Sequence, residues 1–247
     1  MTQGKRGSLY SRLKADFYSL LRYDYDLPQI LKYCAKYSGK ERKTCKLLDV
    51  GCGYGRKLKP LQDAGYDALG VEINPTLVAA NQKNGLNCMT VEAFEATEGQ
   101  FDLMLMSHII EHFTPTDLKA FMDDYLDRLK VGGHLIIATP LMSSTFYDDF
   151  DHVKPYYPQG IMMVFVENYD EQVQYVSRNK LQLKNIWFRR RHYRPQFVTG
   201  RYLRTSTTKW WQTLEFLSVL ACRASGGKIG TKDGWIGVFK KVKVSQD

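Results

Sequence analysis

The stretch Leu47-Leu48-Asp49-Val50-Gly51-Cys52-Gly53-Tyr54-Gly55-Arg56 constrains the fold more than any other part of the chain. A short apolar run closed by an acid reads as a buried strand, and three glycines at alternate positions follow it. Glycine adopts positive φ and carries no Cβ. Alternate glycines therefore turn the chain sharply and leave a floor on which a ligand can lie. A pyrophosphate-binding turn has the spacing G-x-G-x-x-G. Here Arg56 stands where its third glycine would be, so the turn is not of that kind.

Beyond the turn, strand and helix signals alternate. Residues 57–64 read as a short helix, 68–72 as a strand, and 75–83 as a helix opened by Asn74-Pro75. Residues 86–91 and the apolar run 101–106 read as strands. Thr114-Pro115 opens a helix with Leu118, Phe121, Met122, Tyr125, Leu126 and Leu129 on one face. Gly132-Gly133 is expected to stop that helix, and 134–139 to form the next strand. Upstream, Leu9, Leu13, Phe17, Leu20 and Leu21 recur at helical spacing, and a second helix starts at Leu27-Pro28 and ends at Ser38-Gly39. Near the other end, strands at 181–191 and 235–244 flank a helix at 208–222, closed by Gly226-Gly227. On this helix Trp210, Trp211, Leu214, Leu217, Leu220 and Ala221 are expected on one broad face. Strands alternating with helices of about 10–15 residues predict an α/β fold, with a parallel sheet covered on both faces and its ligand at the strand C-termini.

The 247 residues suit one such domain, and 44% hydrophobic residues suffice for its core. No apolar run approaches the ~20 residues that span a bilayer, and the N-terminus shows no apolar signal core. Cys34, Cys45, Cys52, Cys88 and Cys222 lack C-x-x-C spacing, which suits a reducing compartment. The expected location is cytoplasmic, extending to a peripheral place at a membrane. The formal charge is +9, unevenly spread: residues 177–247 carry 16 Lys/Arg against 3 Asp/Glu, while residues 1–176 carry a net −4. Such asymmetry points to an anionic partner at the C-terminal region, a lipid head group, a phosphorylated carrier or RNA.

Three segments in order, the glycine turn, Gly70-Val71-Glu72-Ile73-Asn74 and Val91-Glu92-Ala93-Phe94, resemble the cofactor motifs of the class I S-adenosylmethionine (SAM)-dependent methyltransferases over about residues 45–140. Ser107-His108-Ile109-Ile110-Glu111-His112-Phe113 resembles the post-strand segment of their small-molecule branch, which includes quinone and sugar methyltransferases. The resemblance implies a Rossmann-like, doubly wound, mostly parallel seven-stranded sheet with an antiparallel C-terminal strand and a helical insertion, at 200–228, before it. It implies one domain over 1–247. In it, 1–44 forms a helical lid carrying Tyr10 and Phe17, 45–140 the cofactor core, and 141–247 the substrate-side loops and last strands. It further implies that Asp49 attracts the methionine ammonium, and that the backbone of Gly51, Cys52 and Gly53 carries the same moiety. Glu72 would accept the ribose hydroxyls, Ile73 lie against adenine, Glu92, Ala93 and Phe94 receive its exocyclic amine, and Ser107 contact the sulfonium end. The product would be S-adenosylhomocysteine.

Methyl transfer is an in-line displacement at carbon, so alignment is the main task. A hydroxyl acceptor adds the need for a base. Of five histidines, His134 begins a core strand, His192 lies in the basic run Arg189-Arg190-Arg191, and His108 and His112 flank the cofactor edge. His152, in Asp149-Phe150-Asp151-His152-Val153-Lys154-Pro155-Tyr156-Tyr157, follows the fifth core strand and is the expected base. Asp151 is expected to orient it, and the tyrosines to wall the acceptor. No metal is expected, since the Asp and His residues show no evident ligand cluster, although Asp148, Asp149 and Asp151 resemble one. The absence of an Asn-Pro-Pro-Tyr-type tetrapeptide counts against methylation of a base nitrogen. The expected activity is O-methylation of a small-molecule, carbohydrate or glycolipid-type hydroxyl. Its rivals are an RNA methyltransferase using the basic C-terminal region and a non-catalytic SAM-binding partner protein. The Trp210-Trp211 helix offers a packing, homodimer or membrane surface.

Overall fold

The computed structural model describes residues 24–39, 42–166, 174–194 and 207–243, with Leu203 and Thr205. The expected first helix with Tyr10 and Phe17 lies outside them. Seven strands are described: β1 (Lys46–Val50), β2 (Asp67–Glu72), β3 (Cys88–Thr90), β4 (Phe101–Ser107), β5 (Leu129–Pro140), β6 (Lys180–Arg191) and β7 (Thr231–Val242). Their order in the sheet is β3-β2-β1-β4-β5-β7-β6. Strands β1 to β5 are parallel, and β7 runs antiparallel beside β5. This is the doubly wound, seven-stranded sheet expected from the sequence. The strand order reverses between β1 and β4, the place where such sheets open a crevice for ligands.

Why β1 sits at the centre follows from its residues. Leu47 and Leu48 are fully buried although they point to opposite faces, which only a strand covered on both sides allows. Leu48, Val50, Met104, Met106, Leu135 and Ile137 join one core layer. Their neighbours Leu47, Leu103, Leu105, Ile136 and Ala138 join the other. Each buried Leu or Ile contributes on the order of 1.5–3 kcal/mol. The helices covering these layers are α1 (Leu27–Tyr37), α2 (Leu58–Asp63), α3 (Pro75–Lys83), α4 (Val91–Glu95), α5 (Pro115–Asp127) and α6 (Pro158–Phe165). Asn74 and Thr114 cap α3 and α5 by accepting hydrogen bonds from the Thr76 and Asp117 amides.

Three expectations shift in detail. Helix α1, the described part of the expected lid, is built into the core through Ile30, Tyr33 and Cys34, and Tyr33 donates to Asn185 Oδ1 at 3.0 Å. Strand β3 is only three residues long, because Thr90 caps a new helix by accepting the Ala93 amide; 91–95 is therefore helical. Gly132 and Gly133 lie inside β5 rather than ending α5, which stops at Asp127. Gly132 has φ +90°, and a Cβ on Gly133 would stand 2.9 Å from the Asp102 carbonyl. The β4–β5 register shifts there, between Phe101 and Leu103.

The chain divides into two units, 26–189 with 233–247, and 1–25 with 190–232. The larger carries the core described above. At its margin Arg189, 7% exposed, donates from Nη1 to Asp26 Oδ2 at 2.6 Å and from Nε to Asp233 Oδ1 at 2.8 Å. In the smaller unit, α7 (Thr208–Ala224) buries Val219 and Cys222. Trp210, Leu217 and Leu220 stay exposed, so the expected broad apolar face is not its buried one. Gly226 and Gly227 close α7 with positive φ, as expected, and the Gly227 amide donates to the Cys222 carbonyl at 2.7 Å. His192, buried in this unit, lies 3.2 Å from the Tyr25 hydroxyl through Nδ1. Among the described residues no helix is long and apolar enough to cross a membrane.

Candidate active site

The C-terminal ends of β1, β2 and β4 bring most of the expected residues to one edge. Gly51, Gly53 and Gly55 have φ of +67°, +52° and +70°, the left-handed region that the turn requires and that favours glycine. The Val71 carbonyl accepts the Gly51 and Cys52 amides at 2.8 and 3.0 Å, fastening the turn to β2. A Cβ on Gly51 would clash with Ile109 Cδ1, whereas one on Gly53 would meet nothing within 4 Å among the described residues. Gly53 thus faces open space among them. Cys52 turns inward, with its Sγ 3.4 Å from Cys88 Sγ, so its side chain is part of the packing below the turn.

Glu72 ends β2 and joins the two ligand-side turns. Its Oε2 accepts the Gly53 amide at 2.9 Å and its Oε1 the Asn74 amide at 3.0 Å, leaving each oxygen a second lone pair. Ile73, next in sequence, is 76% exposed. Asp49 is almost wholly buried, its Oδ2 without a hydrogen-bond partner among the described residues, and burial pushes its pKa up to about 7 against the charge of Lys57. Ser107 at the end of β4 likewise keeps a buried Oγ with no partner among them. Two unsatisfied oxygens at neighbouring strand ends are costly unless a ligand supplies donors.

The third expected segment is arranged differently. Phe94 is buried in the core, stacked on Tyr125 with centroids 5.8 Å apart, and the Ala93 amide is already taken by Thr90. Glu92 is exposed on α4. Sequence reasoning missed Asn81: it is buried on α3, and its amide donates to the Gly53 carbonyl at 2.8 Å. Only its place on the inner face of α3 hinted at such a role.

Beyond Ser107, His108 has φ +56°, alone among the described non-glycine residues. Its Nε2 lies 2.8 Å from Asp26 Oδ2 and its Nδ1 3.3 Å from Glu111 Oε1. Burial opposes its charge, but the two carboxylates win and raise its pKa to about 9. Glu111 is fully buried, and its Oε2 accepts from Thr139 Oγ1 at 3.0 Å. The Glu111 carbonyl accepts the Val153 and Lys154 amides at 2.9 and 3.2 Å. The loop after β5 is thereby tied to the segment after β4, and His152 comes beside His112 with ring centroids 5.0 Å apart.

A backbone carbonyl orients each ring. His152 Nδ1 lies 2.6 Å from the Phe146 carbonyl and His112 Nδ1 3.1 Å from the Asp151 carbonyl. A carbonyl only accepts, so both Nδ1 atoms carry a proton, which in the neutral ring leaves the lone pair on Nε2. Phe146, not Asp151, thus orients His152, while the carboxylate nearest its Nε2 is Asp149, at 3.7 Å. Ligand-capable atoms of Glu111, His112 and His152 all lie within 4.8 Å of one another. The sequence showed no such cluster because forty residues separate its halves. Just past His152, Lys154, Pro155, Tyr156 and Tyr157 border an apolar cavity of about 330 Å³ that runs to Leu118 and Ile161.

Known proteins resemble this chain in sequence and fold. A family profile described as a methyltransferase domain matches residues 21–209. A ubiquinone biosynthesis O-methyltransferase of Rhodopseudomonas palustris is 33% identical over 102 residues, covering 38% of this chain and 39% of its own. One from Parvibaculum lavamentivorans is 36% identical over 102 residues, or 38% and 40% of the two chains. The match thus spans about two fifths of these relatives' length. Among solved structures, a SAM-dependent methyltransferase of Archaeoglobus fulgidus has a TM-score of 0.53 at 17% identity, covering 95% of this chain and 100% of that one. The YcgJ protein of Bacillus subtilis has a TM-score of 0.56 at 14% identity, with 90% and 100% covered. Those likenesses speak for the fold, and the profile spans well over half of the chain: it belongs to the methyltransferase-domain family, with the class I SAM-dependent fold.

Proposed function

We propose that this protein methylates a hydroxyl of a small-molecule acceptor at the expense of SAM. The observation that carries this reading is the continuity of two sites along one strand end: Ser107 closes the ligand edge of β4, and Glu111, four residues on, opens the imidazole–carboxylate cluster. The names of the relatives, O-methyltransferases, support the choice of oxygen.

The residues present fit SAM. Asp49 is a buried acid with an unpartnered oxygen, suited to the methionine ammonium, and Ser107 offers a second unpartnered oxygen nearby in the sheet. The open space over Gly53 admits the methionine backbone, Glu72 has lone pairs for two ribose hydroxyls, and the exposed Ile73 suits an adenine face. Bound SAM supplies an electrophilic methyl group and leaves as the thioether S-adenosylhomocysteine. The chain's own residues do the remaining work. They hold the acceptor oxygen in line and take charge of its proton, and His152, with its Nε2 lone pair fixed by the Phe146 carbonyl, is the group for the second task. The apolar cavity beyond Lys154 suits the hydrocarbon part of such an acceptor.

The test is transfer of labelled methyl from SAM into a fractionated extract and into paired phenol and aniline acceptors. Label in hydroxyl-bearing small molecules is the expected result. Label confined to RNA, to protein or to amines overturns it. His152→Ala is expected to lower kcat/KM by ~10²-fold or more with SAM affinity unchanged, and a loss below threefold removes His152 from the reaction.

A further inference from the structure

We propose that Glu111, His112 and His152 bind a divalent transition-metal ion, and that this ion, rather than the bare imidazole, lowers the pKa of the acceptor hydroxyl. The inference rests on the O-methylation reading for its chemistry but not for its binding site. Three independent features of the cluster carry it.

The first is the donor set. Two imidazoles and one carboxylate converge with their ligand-capable atoms within 4.8 Å of one another. Atoms bonded tetrahedrally to one ion at ~2.1 Å stand about 3.4 Å apart, so the widest gap has to close by up to about 1.4 Å on binding. Rotation of the side chains about the ion supplies that movement. Two histidines and a carboxylate suit Mn, Fe, Co or Zn and leave coordination positions open for an acceptor oxygen. The second feature is the outer shell. Metal-bound histidines characteristically donate their other ring N–H to a carbonyl or carboxylate, which fixes the tautomer and aims the lone pair. Both histidines do so here, through Phe146 and Asp151. A lone general base needs one such anchor; a second, on a histidine with no place in a one-base reaction, is what a binding site requires.

The third feature is Glu111 itself. It is fully buried, Thr139 occupies one carboxylate oxygen, and the His108 ring, whose pKa this carboxylate helps to raise, stands 3.3 Å from the other. Each oxygen keeps a further lone pair that a bound ion can use. The Glu111 carbonyl meanwhile holds the backbone of Val153 and Lys154, so the residue that supplies the carboxylate also fixes the position of the His152 loop. Asp149, 3.7 Å from His152 Nε2, adds a second negative group at the rim.

In the reaction this assigns, the acceptor hydroxyl releases its proton to solvent under the pull of the cation. Its oxygen then forms the new C–O bond while the S–CH3 bond breaks and sulfur keeps the electron pair. No electron is exchanged with the metal, so redox-inert zinc serves as well as manganese.

The experiment uses the full chain, treated with chelator and dialysed. Mn²⁺ binding is followed by loss of the free-ion paramagnetic resonance signal, and Co²⁺ binding by its visible absorption. One equivalent is expected, with a Kd in the micromolar range. His112→Ala and His152→Ala should each weaken it at least tenfold, and Glu111→Gln should do the same. SAM affinity and circular dichroism report whether each variant is folded. Glu111→Asp, which keeps the charge, provides a second carboxylate variant should Glu111→Gln unfold. A Kd above a millimolar in the parent protein, or affinity unchanged in folded His112→Ala and His152→Ala, overturns the inference. If metal binds as expected but label enters amines, the O-methylation reading fails and the metal site stands. If no metal binds while hydroxyl methylation still needs His152, the metal inference fails and the base reading stands.

Discussion

Replacing Gly53 by alanine separates the two things a glycine turn can do. At φ +52° an L-residue pays for the left-handed backbone, about 1–2 kcal/mol. Among the described residues nothing else opposes the methyl group, because its position has no heavy atom within 4 Å. For a chain of this size that cost lowers the Tm by roughly 2–8 °C. The open space is also where the ligand is proposed to lie, so the same methyl should cost at least tenfold in SAM affinity, or about 1.4 kcal/mol. Gly65→Ala is the matched control. Its φ is +88°, its Cβ also meets nothing within 4 Å, and it precedes β2 at the opposite edge of the sheet. Scanning calorimetry and titration with SAM or S-adenosylhomocysteine measure both variants. Similar stability loss in the two, with affinity lost only in Gly53→Ala, is the expected pattern. Wild-type SAM affinity in Gly53→Ala, or equal loss in Gly65→Ala, refutes the reasoning.

Two further outcomes follow from buried charge. Arg189→Met leaves Asp26 and Asp233 without their shared cation, which should cost about 3–5 kcal/mol in urea unfolding; a change under 1 kcal/mol would show that the three charges are not coupled. Asp49, with its pKa near 7, is largely protonated at pH 6 in the unliganded protein and must ionise to hold an ammonium. SAM affinity should therefore rise with pH up to about 7, approaching tenfold per unit on the acid side, and flatten above it. Asp49→Asn should bind weakly with no such slope, and titration calorimetry at pH 5.5, 6.5 and 7.5 distinguishes the two. The stability effect has the opposite sense. Between about pH 4 and 7 folded Asp49 keeps a proton that the unfolded chain has lost, so its contribution falls as pH rises.

What the sequence made legible is local. The glycine turn, the Asn74 and Thr114 caps and the acid at the end of β2 are signals written within a few residues, and each is found where its chemistry predicts. What it hid depends on distant partners. Residues 91–95 carry strand-like Val and Phe, yet the Thr90 cap and Phe94 stacking on Tyr125 make them helical. Gly132-Gly133 resembles a helix stop, but the close Asp102 carbonyl shows that glycine is needed there for strand contact. His152 was legible as a candidate from its place after β5. His112 was also legible at the cofactor edge and Glu111 in the segment after β4, but their meeting with His152 was not, because the pair of backbone bonds that joins the two loops has no sequence signature.

The ion pair between Arg189 and Asp233 has a consequence for how this chain can change. These two residues are the points at which the chain leaves the larger unit and re-enters it, and they lie side by side. A segment that departs and returns at one clasped spot imposes almost no spacing demand on its host. Lengthening it costs only the slow logarithm of loop closure. Residues between the end of β6 and the start of β7, which share the smaller unit with residues 1–25, can therefore change length at little cost to the sheet and its glycine turn.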